Sequence, residues 1–362
     1  MFLRPASLLP IFFCAALTSC VRQVDIDRRT EEPILVVEGS ITTDSVPYTV
    51  KLSYSGPYKF ALDIPQEYLE REAKVTIMDN QGGSASLVHK GSGVYETIDK
   101  NYIGKEGKTY RVTIELKNGK KYFSKPEMIQ PPVTISNISA KFFDDFTTNY
   151  PASLHVFLNS KDPPQQENYY KWDFTTWVLR QTHGIPCGFG CVMYKYCYQK
   201  FTNEKVNILS DAVINGNEIK DLDVGQSYIY TYGDHYVDVA QTSLTREAFQ
   251  FWQRYDEQVS RSGSTLDPLP APIKGNIYNA ADTTEFALGY FSASAVVHRR
   301  AILIPFNITD YLLQISAVQF IPEGSKNCFT YFPRALSYLP PPETQYPPPP
   351  GWENAQRIEV RW

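Results

Sequence analysis

The sequence predicts a mainly β protein. An N-terminal immunoglobulin-like or transthyretin-like sandwich is followed by a larger β-rich C-terminal domain with one amphipathic helix. Three observations predict it. Short runs rich in Val, Ile and Thr recur between turn signals, about every 8 to 12 residues. Tyr (25) and Phe (20) are abundant and favour pleated, half-buried surfaces. A single segment, Thr245 to Val259, repeats its apolar residues at helical spacing.

Residues 1–19 read as a targeting signal. Arg4 is a short positive region, and Leu8 to Leu17 form an apolar core. That core falls short of the roughly 20 residues a membrane span needs. It ends in Leu17-Thr18-Ser19-Cys20, which resembles a bacterial lipobox. Such a motif implies lipidation of the Cys20 thiol, removal of the preceding peptide and stable anchoring by several acyl chains. The expected location is the outer membrane, lipid-anchored, and Val21 in place of Asp agrees with that sorting. Residues 20–32 are polar and charged and read as a flexible tether.

The first domain is expected over 33–131. Ile34–Gly39, Tyr48–Tyr54, Lys74–Asp79, Gly93–Glu96, Thr109–Leu116 and Lys121–Ser124 read as strands. Asn118-Gly119 joins the last two as a hairpin turn. Tyr110, Val112, Ile114 and Leu116 alternate with Arg111, Thr113 and Glu115, so the first set should face the core.

Pro131-Pro132 reads as a boundary, because two prolines cannot continue a ladder. The second domain, 132–362, carries strands near Leu154–Leu158, Tyr169–Leu179, Ser227–Tyr232, Glu285–Ala293 and Ala301–Pro305. Its helix, near 245–260, has Thr245 as N-cap and Glu247 in the first turn. Ala248, Trp252, Tyr255 and Val259 should form the buried stripe. The tail, LPPPETQYPPPPGW, is proline-rich and should be extended.

Composition excludes one partner class. Arg4 is the only charged residue before Cys20, so its removal leaves 34 basic against 39 acidic residues, net −5. No nucleic acid partner is expected of such a chain. Once Cys14 leaves with the signal and Cys20 takes the lipid, Cys187, Cys191, Cys197 and Cys328 remain. In an oxidising compartment they suggest two disulfides, and three pairings stay open. A metal site in CGFGCVMYKYC is disfavoured, because its cysteines are not spaced as paired C-x2-C and no His lies among them.

Signatures of common hydrolases, zinc proteases and phosphate loops are absent. His89, His155, His183, His235 and His298 are scattered. Asp234-His235 with Asp238 is the densest local cluster and reads as a solvated loop. Asp221-Leu-Asp-Val-Gly lacks the ligands of a calcium loop. No cofactor, metal or catalytic residue is therefore expected. The aromatics carry more: Tyr170, Trp172, Phe174, Thr176 and Val178 should face a core, leaving Tyr169 and Trp177 on the half-polar face. With Phe189, Tyr194 and Tyr196 of the glycine-rich cysteine loop, they form the expected binding surface.

The VDID after Cys20, then ILVVEGSITT, PYTVKLS, NYYKWDF and PIKGNIYNAADTTEFALGYFSAS together resemble an uncharacterised envelope lipoprotein family of the Bacteroidota. Lys274-Gly275-Asn276-Ile277 and Leu288-Gly289-Tyr290-Phe291 carry most of that resemblance. It implies lipid anchoring, and genes neighbouring TonB-dependent outer-membrane receptors. Asp44-Ser45-Val46 and Asp282-Thr283-Thr284 are similar to the short O-glycosylation motif of that phylum. The expected function is an accessory or ligand-binding partner of a TonB-dependent transporter. A purely structural envelope protein and an envelope hydrolase are the alternatives.

Overall fold

Alternation decides the local structure wherever it is clean. In the computed structural model, Tyr110, Val112, Ile114 and Leu116 are all buried, and the residues between them are not. The structure describes residues 33–56, 65–144, 152–164, 166–181, 185–188, 191–193, 196–203, 205–229, 233–261, 272–306 and 351–361. Cys20, the signal and the whole tether lie outside them, as does most of the proline-rich tail.

Among the described residues the chain is mainly β with one α-helix, as expected. The first region holds β1 (Leu35–Thr42), β2 (Thr49–Tyr54), β3 (Lys74–Asp79), β4 (Ser84–Gly91), β5 (Val94–Thr97), β6 (Thr109–Glu115), β7 (Lys121–Ser124) and β8 (Glu127–Met128). Next come β9 (Ile135–Phe143), β10 (Ser153–Lys161), β11 (Tyr169–Gln181), β12 (Ile185–Gly188), β13 (Cys191–Met193), β14 (Tyr196–Thr202), β15 (Asn207–Ser210) and β16 (Glu218–Tyr228). The rest is β17 (His235–Leu244), α1 (Arg246–Arg261), β18 (Lys274–Asn279), β19 (Phe286–Phe306) and β20 (Gln356–Arg361).

Pairing runs β1-β2-β5-β4-β3-β6-β7-β18-β19, and β19 returns to pair with β1 in parallel. The first region's strands are thus closed into a ring by two strands from beyond Pro131-Pro132. Closure removes exposed edges that would otherwise invite pairing with other chains. Phe291, Ala293 and Ala295 of β19 and Ile277 of β18 share one core with Val37, Ile77 and Val112. The read boundary at Pro131-Pro132 separates the regions along the sequence, but Ile34–Trp362 forms one compact unit.

β19 continues past the ring. Glu285–Ala293 and Ala301–Pro305, read as two strands, fall, apart from Glu285, in one strand of 21 residues. Its second half pairs with β17, which pairs with β11. The sheet β16-β10-β9 faces this extension across a second core of Leu154, Val156, Trp172, Phe174 and Val239. Tyr170, Trp172, Phe174, Thr176 and Val178 all face inward, as read. Trp172 Nε1 there donates to Gln241 Oε1 at 2.9 Å, and Gln241 Nε2 to the Val133 carbonyl at 2.6 Å.

Ser227 and Tyr228 of the segment read as a strand at Ser227–Tyr232 end β16, which runs from Glu218 to Tyr228, and positions 230–232 lie outside the described residues. The apolar residues of β16 are too sparse for periodicity to mark it.

Candidate functional site

The pleat gives the outer face of the shared sheet a composition of its own. On β19, Ala287, Phe291, Ala293 and Ala295 point into the core. The intervening Leu288, Tyr290, Ser292, Ser294, Val296 and His298 therefore face the other way. On β1, Glu38, Ser40 and Thr42 do the same, and the register sets Glu38 beside Tyr290, Ser40 beside Ser292 and Thr42 beside Ser294. Lys51 of β2 lies beside Glu38; Thr242 and Ala240 of β17 lie beside Val296 and His298. Lys171 and Asp173 of β11 complete the row.

This face is the floor of a groove of about 920 Å³, and α1 is its wall. The volume lies in the range of small-molecule sites, about 300–1,000 Å³. Phe251 is buried against Tyr290, ring centres 5.0 Å apart. Trp252 is half-buried, edge-on to Tyr255 at 5.6 Å, with Lys171 Nζ 4.9 Å from its ring centre. Lys171 also pairs with Asp173. Tyr255 is 41% exposed. Three carboxylates (Glu38, Asp44, Asp173) face three cationic side chains (Lys51, Lys171, His298) along the groove.

One end of α1 is pinned from below. Thr245 Oγ1 accepts from the Ala248 N–H at 3.2 Å, as an N-cap should, and donates to Glu127 Oε2 at 2.7 Å. Glu127 is buried and also accepts from Asn276 Nδ2 at 3.2 Å and from the Tyr290 hydroxyl. Burial raises its carboxyl above the usual range, against the pull of these three donors. Burial, together with the same Glu127 contact, holds the Tyr290 hydroxyl well above the ordinary tyrosine value.

At the groove's other end, His298 is clamped between two carboxylates. Its Nδ1 lies 2.9 Å from Asp238 Oδ1 and its Nε2 2.8 Å from Asp44 Oδ2. Arg300 Nε reaches the second Asp238 oxygen at 3.2 Å. The Asp238 bond, aided by Asp44 and opposed by desolvation, raises the imidazole to about 9. His298 and Asp44 also border a second depression, beside Ser45, Asn354 and Gln356.

The cluster Asp234-His235 with Asp238 does not converge. Positions 235 and 238 differ by three, so the pleat sends them to opposite faces. His235 is fully buried, with Nδ1 2.7 Å from Ser227 Oγ, and burial lowers it to about 4. Asp234 accepts from Arg357 at 3.2 Å. Asp223, of the calcium-like segment, pairs with His155 at 2.8 Å.

Of the expected binding surface, Tyr169 and Trp177 have described side chains. Tyr169 packs on Phe249 at 5.1 Å, and Trp177 packs edge-on to Trp352 at 5.4 Å. Eight residues apart on one strand, the two are separated by about 26 Å. The backbone of Cys187, Cys191, Tyr196 and Cys197 is in strands β12, β13 and β14, but their side chains lie outside the described ones. Phe189, Tyr194 and Cys328 lie wholly outside the described residues. Ser45 and Thr283, the motif hydroxyls, are both exposed.

The aromatic wall was present in the sequence but assigned to the core. Tyr255 and Val259 are 41% and 50% exposed, and the buried face is Ala248 with Phe251. The available signal was Phe249, Phe251, Trp252 and Tyr255 together, more aromatic surface than one narrow stripe can bury.

No curated protein matches the chain. A family model, described as a domain of unknown function (DUF4249), matches residues 21–300, more than three quarters of the chain. That span holds the groove's floor and wall together with Gly275 and Gly289, and the chain belongs to this family of proteins with a domain of unknown function, DUF4249.

Proposed function

We propose that the protein is a lipid-anchored binding protein of the bacterial outer membrane, acting as an accessory or ligand-binding partner of a TonB-dependent transporter. The observation that carries the binding role is the groove under α1. It has the volume of a ligand site, a floor of small polar side chains and a wall holding half-exposed Trp252 and exposed Tyr255. Half-exposed aromatics on a rigid element supply contact area with little loss of side-chain freedom on binding.

Location and partner rest on the sequence. The lipobox-like Leu17-Thr18-Ser19-Cys20 supports acylation at Cys20, and the charged residues after it support a tether. The resemblance to Bacteroidota envelope lipoproteins supports the transporter as partner.

Labelling cells with a palmitate analogue tests the anchor. The wild-type chain should carry the label and sediment with membranes, and the Cys20→Ala chain should lose both. Label that persists without Cys20, or a wild-type chain found in the soluble fraction, contradicts the assignment.

A further inference from the structure

We infer that the groove recognises a neutral carbohydrate chain. The inference rests on the binding role proposed above and names its ligand class.

Charge is the first argument. Glu38, Asp44 and Asp173 are balanced by Lys51, Lys171 and His298. A site for an anionic or cationic ligand shows an excess of the opposite sign. This one shows none, so its ligand is uncharged. Yet its charged groups are dispersed along the floor, where carboxylates accept and ammonium groups donate hydrogen bonds. The ligand must therefore be rich in hydroxyl or amide groups.

The floor points the same way. Ser40, Thr42, Thr242, Ser292 and Ser294 place hydroxyls on three adjacent strands. Each is both donor and acceptor, which matches a partner whose groups are also both. Ser294 is 1% exposed, and its hydroxyl has no hydrogen-bond partner. Buried polar atoms without partners are rare, and this one belongs to a residue that lines the groove.

The wall supplies the remaining element. Trp252 and Tyr255 meet edge to face, so they offer two differently oriented ring surfaces along one side. A sugar ring has an apolar C–H face and a hydroxyl rim. It can lay the face on an aromatic ring while the rim reaches the polar floor. A peptide would instead need partners for its backbone amides. β17 and β11 are paired on both sides, and β1 pairs with β19 over Val36–Thr42 and with β2 over Leu35–Gly39, so little free ladder edge serves it there.

Calorimetric titration of the full acylated chain, in a detergent without a sugar headgroup, tests the inference. The probes are short neutral oligosaccharides of glucose, mannose, xylose and galactose, their uronic-acid counterparts and mixed-sequence short peptides. Neutral oligosaccharides should bind saturably, and uronic acids should bind no more tightly. Trp252→Ala and, separately, Tyr255→Ala should each weaken binding at least about tenfold. Tyr255→Ala guards against a folding defect, because Tyr255 is 41% exposed. Lys117→Ala, remote from the groove and with its side chain 74% exposed, should leave affinity unchanged. Peptide binding that depends on Trp252, with no response to neutral sugars, overturns the carbohydrate assignment and leaves the binding role standing. Silence from every panel overturns the assignment and removes the groove as support for that role.

Discussion

Gly275 lies so close to Gly289 that a β-carbon on the first would sit 1.5 Å from the carbonyl oxygen of the second. Gly289 itself has φ +84°, and a β-carbon there would come within 2.1 Å of the Val37 carbonyl. Three strands, β18, β19 and β1, therefore meet where only glycine fits. The pairing of β18 with β19 is irregular at this point, between Lys274 and Tyr278. Asn276 bridges the gap: its Nδ2 donates to the Phe291 carbonyl at 2.8 Å, and its Oδ1 accepts from the Phe291 N–H at 3.0 Å. The KGNI and LGYF segments are thus the stitch that closes the ring.

Gly289→Ala should cost on the order of 3 kcal/mol or more, or abolish soluble expression, because both conformation and contact forbid it. Gly82→Ala is the matched control. Gly82 has φ +86° with nothing within 4 Å of its would-be β-carbon, so only the conformational penalty of about 1 kcal/mol applies. Urea melts of both variants compare them; equal losses would remove the close approach as the reason for glycine.

Much of the first region was legible because its strands obey simple periodicity. β3 and β7 have the bounds read from the sequence, and Gly119 takes φ +85° in the Asn118-Gly119 turn. The alternation along β6 and β11 named their buried faces correctly. Ring closure was not legible, because pairing between β1 and β19 joins residues some 250 positions apart and leaves no local pattern. β19 looked like two strands because His298-Arg299-Arg300 interrupts its apolar text, although the backbone pairing continues through them. The groove was hidden for the same reason: its floor is assembled from several strands, each contributing only alternate residues.

Glu127 links the cap of α1 to the groove floor. Glu127→Gln replaces one accepting oxygen with a donor amide and should cost about 2 kcal/mol by leaving a buried donor unmatched. Thr245→Ala should cost about 1 kcal/mol through the lost cap. Thr245 bonds Glu127 directly, so the double variant should lose less than the two separate losses, with a coupling near 1 kcal/mol. Strict additivity in denaturant melts would mean the contact contributes nothing.

Two histidines should give stability an optimum near pH 6.5. His235 is lowered to about 4 by burial, so the unfolded chain binds the extra proton. Its contribution is complete above 6.5 and is lost as pH falls towards 4, by about 3 kcal/mol. His298 is raised to about 9, so its contribution is complete below 6.5 and is lost as pH rises through 9. Partial exposure limits that loss to the order of 1 kcal/mol. His298→Gln should flatten the alkaline side alone, and unfolding free energies measured from pH 4 to 10 read both limbs. An alkaline limb unchanged by His298→Gln would assign it to another group.

The two faces of α1 should differ sharply in cost. Phe251→Ala removes a ring packed on Tyr290 and should cost about 3 kcal/mol. Val259→Ser, at a position 50% exposed, should stay within about 0.5 kcal/mol. Thermal melts decide it: a large loss at Val259 would mean that the helix buries the stripe read from the sequence.

The most direct measurement is purification of the native protein from cell membranes in mild detergent, with mass spectrometry of what accompanies it. A TonB-dependent barrel should co-purify in stoichiometric amount with the wild-type chain. A chain that elutes alone from membranes in which the barrel is abundant would contradict the proposed partnership.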